Sequence, residues 1–148
     1  MVIDNNFWFD RSVFITGHTG FKGGWLSLWL SEMGAKVHGY SLKASTTPNF
    51  FTLCSLEEYL ESSTIGNILD FHQLHNAIDQ KSPEVVFHLA AQPLVRESYV
   101  SPLATLETNV IGTANVMEAC LSVPSIKAIV NVTTDKCYEN KEWSWPYR

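Results

Sequence analysis

Ser12-Val13-Phe14-Ile15-Thr16-Gly17-His18-Thr19-Gly20-Phe21-Lys22-Gly23-Gly24 runs from a β-branched and aromatic segment straight into a glycine turn. Leu26, Trp29, Leu30 and Met33 then recur at helical spacing, and Gly34 closes the segment. Strand, glycine turn and helix in that order form a site for a dinucleotide pyrophosphate. Gly17 lets the chain leave the strand sharply where a Cβ would clash. Gly20 admits close approach of the pyrophosphate, and Gly23 admits tight packing of the helix on the sheet. The free amides of the first helical turn, backed by the positive end of the helix dipole, then face the anion. The spacing is G-x-x-G-x-x-G, and a ligand-free glycine turn is the competing reading that the pattern alone leaves open.

Working outward, the rest of the chain continues the alternation of strand and helix. The patterning predicts strands over 12–16, 36–41, 63–65, 84–89 and 127–133, and helices over 24–33, 71–80 and 102–121. Val85-Val86-Phe87-His88-Leu89 is nearly all apolar, as a strand covered on both faces should be. Ser101 can cap the last helix, Pro102 suits its first position, and Leu103, Leu106, Val110 and Val116-Met117 recur on one face. The fold class expected is α/β, a Rossmann-like parallel sheet with helices on both faces.

At 148 residues the chain is one domain long and can bury roughly two thirds of its unfolded surface. A net charge of −5 without a basic run makes nucleic acid an unfavourable partner. No apolar run is long enough to span a bilayer, and Met1-Val2-Ile3-Asp4-Asn5-Asn6-Phe7-Trp8 does not read as a signal peptide. Cys54, Cys120 and Cys137 are odd in number and form no C-x-x-C, which argues against a disulfide framework and for the cytoplasm. His38, His72 and His75 share no ligand spacing, so no metal is expected.

In such sheets ligands bind at the carboxyl ends of the strands. The first strand ends in the glycine turn, the fourth in His88-Leu89-Ala90-Ala91-Gln92, and the fifth in Thr133-Thr134-Asp135-Lys136. Ala90 and Ala91 are small enough for a cofactor to approach their backbone, or are simply tight packing. His88, among apolar residues, reads as a satisfied core histidine, and His18 as a turn residue whose backbone matters more than its ring. Thr134, Asp135 and Lys136 bring a hydroxyl, an acid and a base to one strand end. A capped or solvated turn with an ion pair explains the same residues equally well.

Three segments together resemble the CDP-glucose 4,6-dehydratases, extended short-chain dehydrogenase/reductases of the NAD-dependent epimerase/dehydratase family. They are residues 17–30, residues 90–96 with 108–113, and Thr134-Asp135-Lys136-Cys137-Tyr138-Glu139-Asn140-Lys141-Glu142-Trp143. The last is the most telling, because related sugar-nucleotide dehydratases commonly carry Thr-Asp-Glu there. The resemblance implies conversion of CDP-D-glucose to CDP-4-keto-6-deoxy-D-glucose with transient reduction of NAD, in the synthesis of cell-surface deoxysugars, by a homo-oligomeric enzyme. It implies cofactor contacts at Gly17, Thr19, Gly20, Phe21, Lys22 and Gly23 in the turn, and at Ser41, Asn67 and Ile68 towards the adenosine. Leu89, Ala90, Ala91, Gln92, Thr108 and Thr133 would complete them. Thr134 would bond the C4 oxygen, Asp135 would protonate the departing hydroxyl, and Lys136 would take the C5 proton. Those roles need an acid raised from about 3.9 and a base lowered from about 10.4.

The chain departs from that pattern in places. No Tyr is followed four residues later by Lys, so the base expected to deprotonate the C4 hydroxyl is missing from these 148 residues. The resemblance implies a partial dinucleotide-binding domain over 1–148, truncated before the last strands and the substrate lobe, with exposed apolar surface and self-association to follow. Asn67 stands where an Asp is usual, and Pro146 where a Gly is usual. Tyr40-Ser41-Leu42-Lys43 offers no carboxylate for a ribose 2′-hydroxyl, which leaves NAD and NADP open on physical grounds; the resemblance implies NAD. Two other readings are another nucleotide-sugar epimerase or dehydratase and a non-catalytic dinucleotide-binding module.

Overall fold

Strand β1 (Ser12–Thr16) lies at the centre of the sheet, and its alternating side chains feed two cores. Val13 and Ile15 join Leu30, Val37 and Val85 on one face. Phe14 joins Tyr40, Leu74, Ile78, Val86, Val116 and Ala119 on the other. The computed structural model describes residues 6–134 and 137–147. Around β1 run β2 (Lys36–Ser41), β3 (Ser62–Ile65), β4 (Val85–His88) and β5 (Ala128–Asn131), all parallel, in the order β3-β2-β1-β4-β5. The chain thus leaves β1 towards one edge and later returns to its other side. The carboxyl ends of β1 and β4 flank the point where the order reverses, which is where an open α/β sheet forms its ligand crevice.

Helix α1 (Phe21–Glu32) packs over the first core, while α3 (Phe71–Lys81) and α6 (Gly112–Leu121) pack over the second. Asp70 caps α3 by accepting the Gln73 amide at 3.0 Å. Burying both cores at roughly 25 cal/mol per Å² of apolar surface is the main force holding the layers together. Among the described residues no helix is long and apolar enough to cross a membrane.

Three sequence expectations are corrected. Helix α1 begins at Phe21, three residues earlier than 24–33. The Gly20 amide donates to the Gly17 carbonyl at 3.0 Å, which closes the turn in time for Gly20 itself to act as N-cap. Trp29, expected on the inner face of α1, is 64% exposed, because the buried face runs through Gly23, Ser27 and Leu30.

The single helix expected over 102–121 is interrupted. A five-residue π turn, Glu107–Ile111, separates α5 (Pro102–Leu106) from α6. The wider turn shifts the phase of the apolar stripe, so Leu103, Leu106 and Val110 are exposed while Val116 is fully buried. Two short helices, α2 (Phe50–Leu53) and α4 (Val95–Val100), and a 3-10 turn, Leu56–Tyr59, were not expected. They are too short for apolar periodicity to register.

Candidate dinucleotide-binding site

The crevice is built on Gly17. Its φ of +83° lies in the region that a side chain resists, and a Cβ there would stand 2.8 Å from the Ala90 nitrogen and 2.9 Å from the Leu89 carbonyl carbon. The glycine turn and the loop after β4 therefore touch backbone to backbone. Gly23 is equally constrained: a Cβ on it would collide with the Gly17 carbonyl. Gly20 is exposed and caps α1 without a side-chain bond, and the first turn of α1 carries no acidic residue. A twelve-residue helix whose N-terminus has no side-chain cap and no acidic residue, behind a glycine cradle, fits an anionic pyrophosphate. Phe21 and Lys22, in that first turn, are exposed beside it.

Thr19 and Ser41 are engaged with each other. Thr19 Oγ1 lies 2.9 Å from Ser41 Oγ and donates to the Leu42 carbonyl at 2.8 Å, with both residues buried. Their hydroxyls tie the turn to the end of β2. Asn67 is exposed, and its side-chain oxygen already accepts the Leu69 amide at 3.0 Å. Ile68 is buried against Gly112, so its side chain serves packing, while its carbonyl accepts from Asn115. Leu89 and Ala90 are half-buried and Ala91 is exposed. Gln92 uses its side chain to brace its own loop, bonding Leu94 and Thr105. Thr108 sits half-buried in the π turn.

Thr133 and Thr134 are exposed just past β5, and the Cys137 thiol donates to the Thr134 carbonyl at 3.3 Å. The two remaining members of the acid–base group, Asp135 and Lys136, lie outside the described residues. The fifth strand ends beside the fourth, with the Val132 amide donating to the His88 carbonyl. The Thr134 segment therefore leaves the sheet on the same edge as Ala90.

His88 is held as a core histidine should be. It is 2% exposed, its Nδ1 lies 2.7 Å from Thr16 Oγ1, and its Nε2 lies 3.0 Å from Thr113 Oγ1; burial lowers its pKa. His18 differs from expectation, because its ring matters. The ring is fully buried, bonds Ser63 Oγ at 2.9 Å and meets Phe51 edge-on. Burial drives its pKa from 6.5 to about 4, with the Tyr40 backbone pulling weakly upward.

Asn109 was not singled out as a site residue. Its side chain accepts the Gln92 amide at 2.8 Å and donates to the Gln92 carbonyl at 3.0 Å. Asn109 stands among other polar residues, Glu107, Thr108 and Thr113, so no local pattern marks it out. Two grooves of about 470 and 620 Å³ lie elsewhere, along α3–α6 and α1, and neither is lined by Gly17 or Ala90. Among the described residues no three His, Cys, Asp or Glu side chains gather as a metal site would need.

The GDP-mannose 4,6 dehydratase family matches residues 14–143. The chain belongs to that family. The match spans all five strands apart from the first two residues of β1, and it contains every candidate residue from Gly17 to Lys136. Another similar protein is a CDP-glucose 4,6-dehydratase of Salmonella typhimurium, 56% identical over 99% of this chain; the chain spans 41% of that enzyme's length.

Two solved structures share the fold of this GDP-mannose 4,6 dehydratase family member. An epimerase from Methanothermobacter thermautotrophicus aligns with a TM-score of 0.77 and 22% identity, covering 97% of this chain and 41% of its own. A UDP-glucose-4-epimerase from Stenotrophomonas maltophila, solved with bound NAD and formylated UDP-arabinopyranose, aligns with a TM-score of 0.74 and 19% identity, covering 90% and 40%.

Proposed function

We propose that the chain is the dinucleotide-binding part of an NAD-dependent CDP-glucose 4,6-dehydratase, which converts CDP-D-glucose to CDP-4-keto-6-deoxy-D-glucose and water. The observation that carries this reading is the 56% identity over 99% of the chain to the Salmonella enzyme. The crevice supports its cofactor half: a glycine cradle that a Cβ would fill, opening on a helix N-terminus with no side-chain cap. Gly17, Gly20 and Gly23 with the first turn of α1 would hold the pyrophosphate, and the Leu89–Gln92 loop would line the other wall. When bound, NAD supplies a reversible hydride acceptor, so C4 of the hexose can be oxidised and C6 later reduced with no net redox change.

The residues of the chain do the rest. The Thr134 hydroxyl bonds the C4 oxygen, and the C4 ketone acidifies the C5 proton. Lys136 removes that proton, and Asp135 protonates the C6 hydroxyl as it leaves as water. No Tyr in the chain has a Lys four residues on, so these 148 residues hold no evident base for the C4 hydroxyl. The enzyme acts as a homo-oligomer in the cytoplasm; the exposed apolar side chains of Tyr99, Val100 and Leu103 support self-association.

Calorimetry of the chain with NAD⁺, followed by incubation with NAD⁺ and CDP-glucose, tests the reading. Binding without turnover is expected. Absence of NAD⁺ binding overturns the cofactor assignment, and turnover by the chain alone overturns the view that a Tyr-x-x-x-Lys base is required.

A further inference from the structure

Thr16, His88, Thr113 and Asn109 lie on four separate elements, β1, β4, α6 and the π turn, yet their hydrogen bonds join end to end. Thr16 Oγ1 accepts the Leu89 and Ala90 amides, each at 3.2 Å. With both lone pairs so engaged, its one proton goes to His88 Nδ1, 2.7 Å away. Nδ1 is then an acceptor, so the neutral ring carries its proton on Nε2. Nε2–H donates to Thr113 Oγ1 at 3.0 Å, and the Thr113 hydroxyl donates to the Asn109 carbonyl at 2.8 Å. The Asn109 side chain then grips the Gln92 amide and carbonyl. The path leaves the loop at Leu89 and Ala90 and returns to it at Gln92. Every donor in the path has one acceptor except the Leu89 amide, which Thr16 Oγ1 shares with the Thr16 carbonyl at 3.1 Å, and only the Nε2–H tautomer of His88 completes the path.

We propose that His88 is a positioning residue of the crevice: as the Nε2–H tautomer it closes a hydrogen-bond circuit that holds the Leu89–Gln92 loop against Gly17. Thr16 and His88 are buried, so water cannot substitute for a missing partner, and the circuit fails as a unit. The loop backbone stands within contact distance of Gly17, and a shift of the loop therefore reshapes the pyrophosphate cradle. The role in binding rests on the proposal that this crevice takes NAD. The tautomer and the circuit do not.

The test uses the ¹⁵N-labelled chain without and with NAD⁺. Long-range ¹⁵N–¹H spectra of the cofactor-free chain should show His88 as the neutral Nε2–H form; an Nδ1–H or doubly protonated ring at neutral pH overturns the proposal. In His88→Leu the Ala90 amide, which bonds Thr16 Oγ1 alone, should exchange at least tenfold faster, and the Kd for NAD⁺ should rise at least tenfold. His88→Gln, whose amide offers one acceptor and one donor, should recover most of both. Should His88→Leu fail to fold, Thr113→Val breaks the same circuit at a half-buried site and should loosen Gln92 and weaken NAD⁺ in the same way. Wild-type affinity and unchanged exchange in these variants overturn the proposal, as does loss without rescue by Gln. If the unaltered chain shows the tautomer and the protection but binds no NAD⁺, the dinucleotide assignment falls, and the role of His88 in binding falls with it.

Discussion

Lowering the pH should destabilise this fold through His18, by an amount that the structure sets. The ring is fully buried and its pKa falls from 6.5 to about 4, with burial as the main cause. The folded state thus disfavours the proton that the unfolded chain accepts. The stabilisation from the neutral ring is complete above the unfolded value, erodes as the pH drops through 6.5, and is gone once the pH passes about 4. At about 1.4 kcal/mol per tenfold change in proton affinity, the loss relative to neutral pH is about 2 kcal/mol at pH 5 and about 3 kcal/mol at pH 4.

His38 and His88 are also lowered by burial and push in the same direction, so the informative quantity is a difference between proteins. His18→Gln keeps an amide that can reach Ser63 and does not titrate. Urea unfolding followed by tryptophan fluorescence, repeated between pH 7.5 and 4.5, should show the wild type losing about 2 kcal/mol more than the variant by pH 5. Parallel losses in the two proteins would refute the reasoning, because the ring would then be accessible to protons in the folded state.

Gly17→Ala should destabilise by at least about 2 kcal/mol in thermal melts and weaken NAD⁺ at least tenfold by calorimetry, since the new Cβ meets the Ala90 and Leu89 backbone and φ is +83°. Unchanged melting would show that the turn and the β4 loop are not in contact. Val116→Ala should cost about 2 kcal/mol, whereas Leu103→Ala and Leu106→Ala should each change stability by less than about 0.5 kcal/mol. Chemical denaturation distinguishes these outcomes, and equal costs would mean that no π turn shifts the stripe. Leu74→Ala, at a fully buried site of the larger core, should cost about 3 kcal/mol by the same assay.

What the sequence revealed and what it concealed separate along physical lines. The sheet is legible because β1 and β4 are largely apolar β-branched and aromatic runs and because three glycines mark the turn after β1, whereas β3, Ser62–Ile65, carries little of that signal. The start of α1 is hidden in the sequence because its cap is a glycine, which carries no side-chain signal of capping, and its apolar run begins only later. The 102–121 helix was misphased because the residues of the π turn, Glu107–Ile111, have ordinary helical character. An i→i+5 bond is a property of the backbone that residue types barely record. The role of the His18 ring is hidden for a related reason: it comes from Ser63 and Phe51, more than thirty residues away, and no local pattern announces such a partnership.

The crevice itself shows why its polar residues need a longer argument than its glycines. A glycine reports a local need, so Gly17 and Gly23 could be assigned from spacing, and the backbone contacts a Cβ would make account for both. Thr19, Ser41 and Gln92 were assigned by resemblance to the cofactor, yet each spends side-chain hydrogen bonds inside the protein, on the turn or on its own loop. A hydroxyl or amide so committed shapes the cavity before any ligand arrives. Whatever these residues contribute to a dinucleotide must then come from the backbone they hold in place or from a lone pair still unused. Preorganisation of this kind lowers the entropy cost of binding, and a glycine-lined site, which has few side chains of its own, gains the most from it.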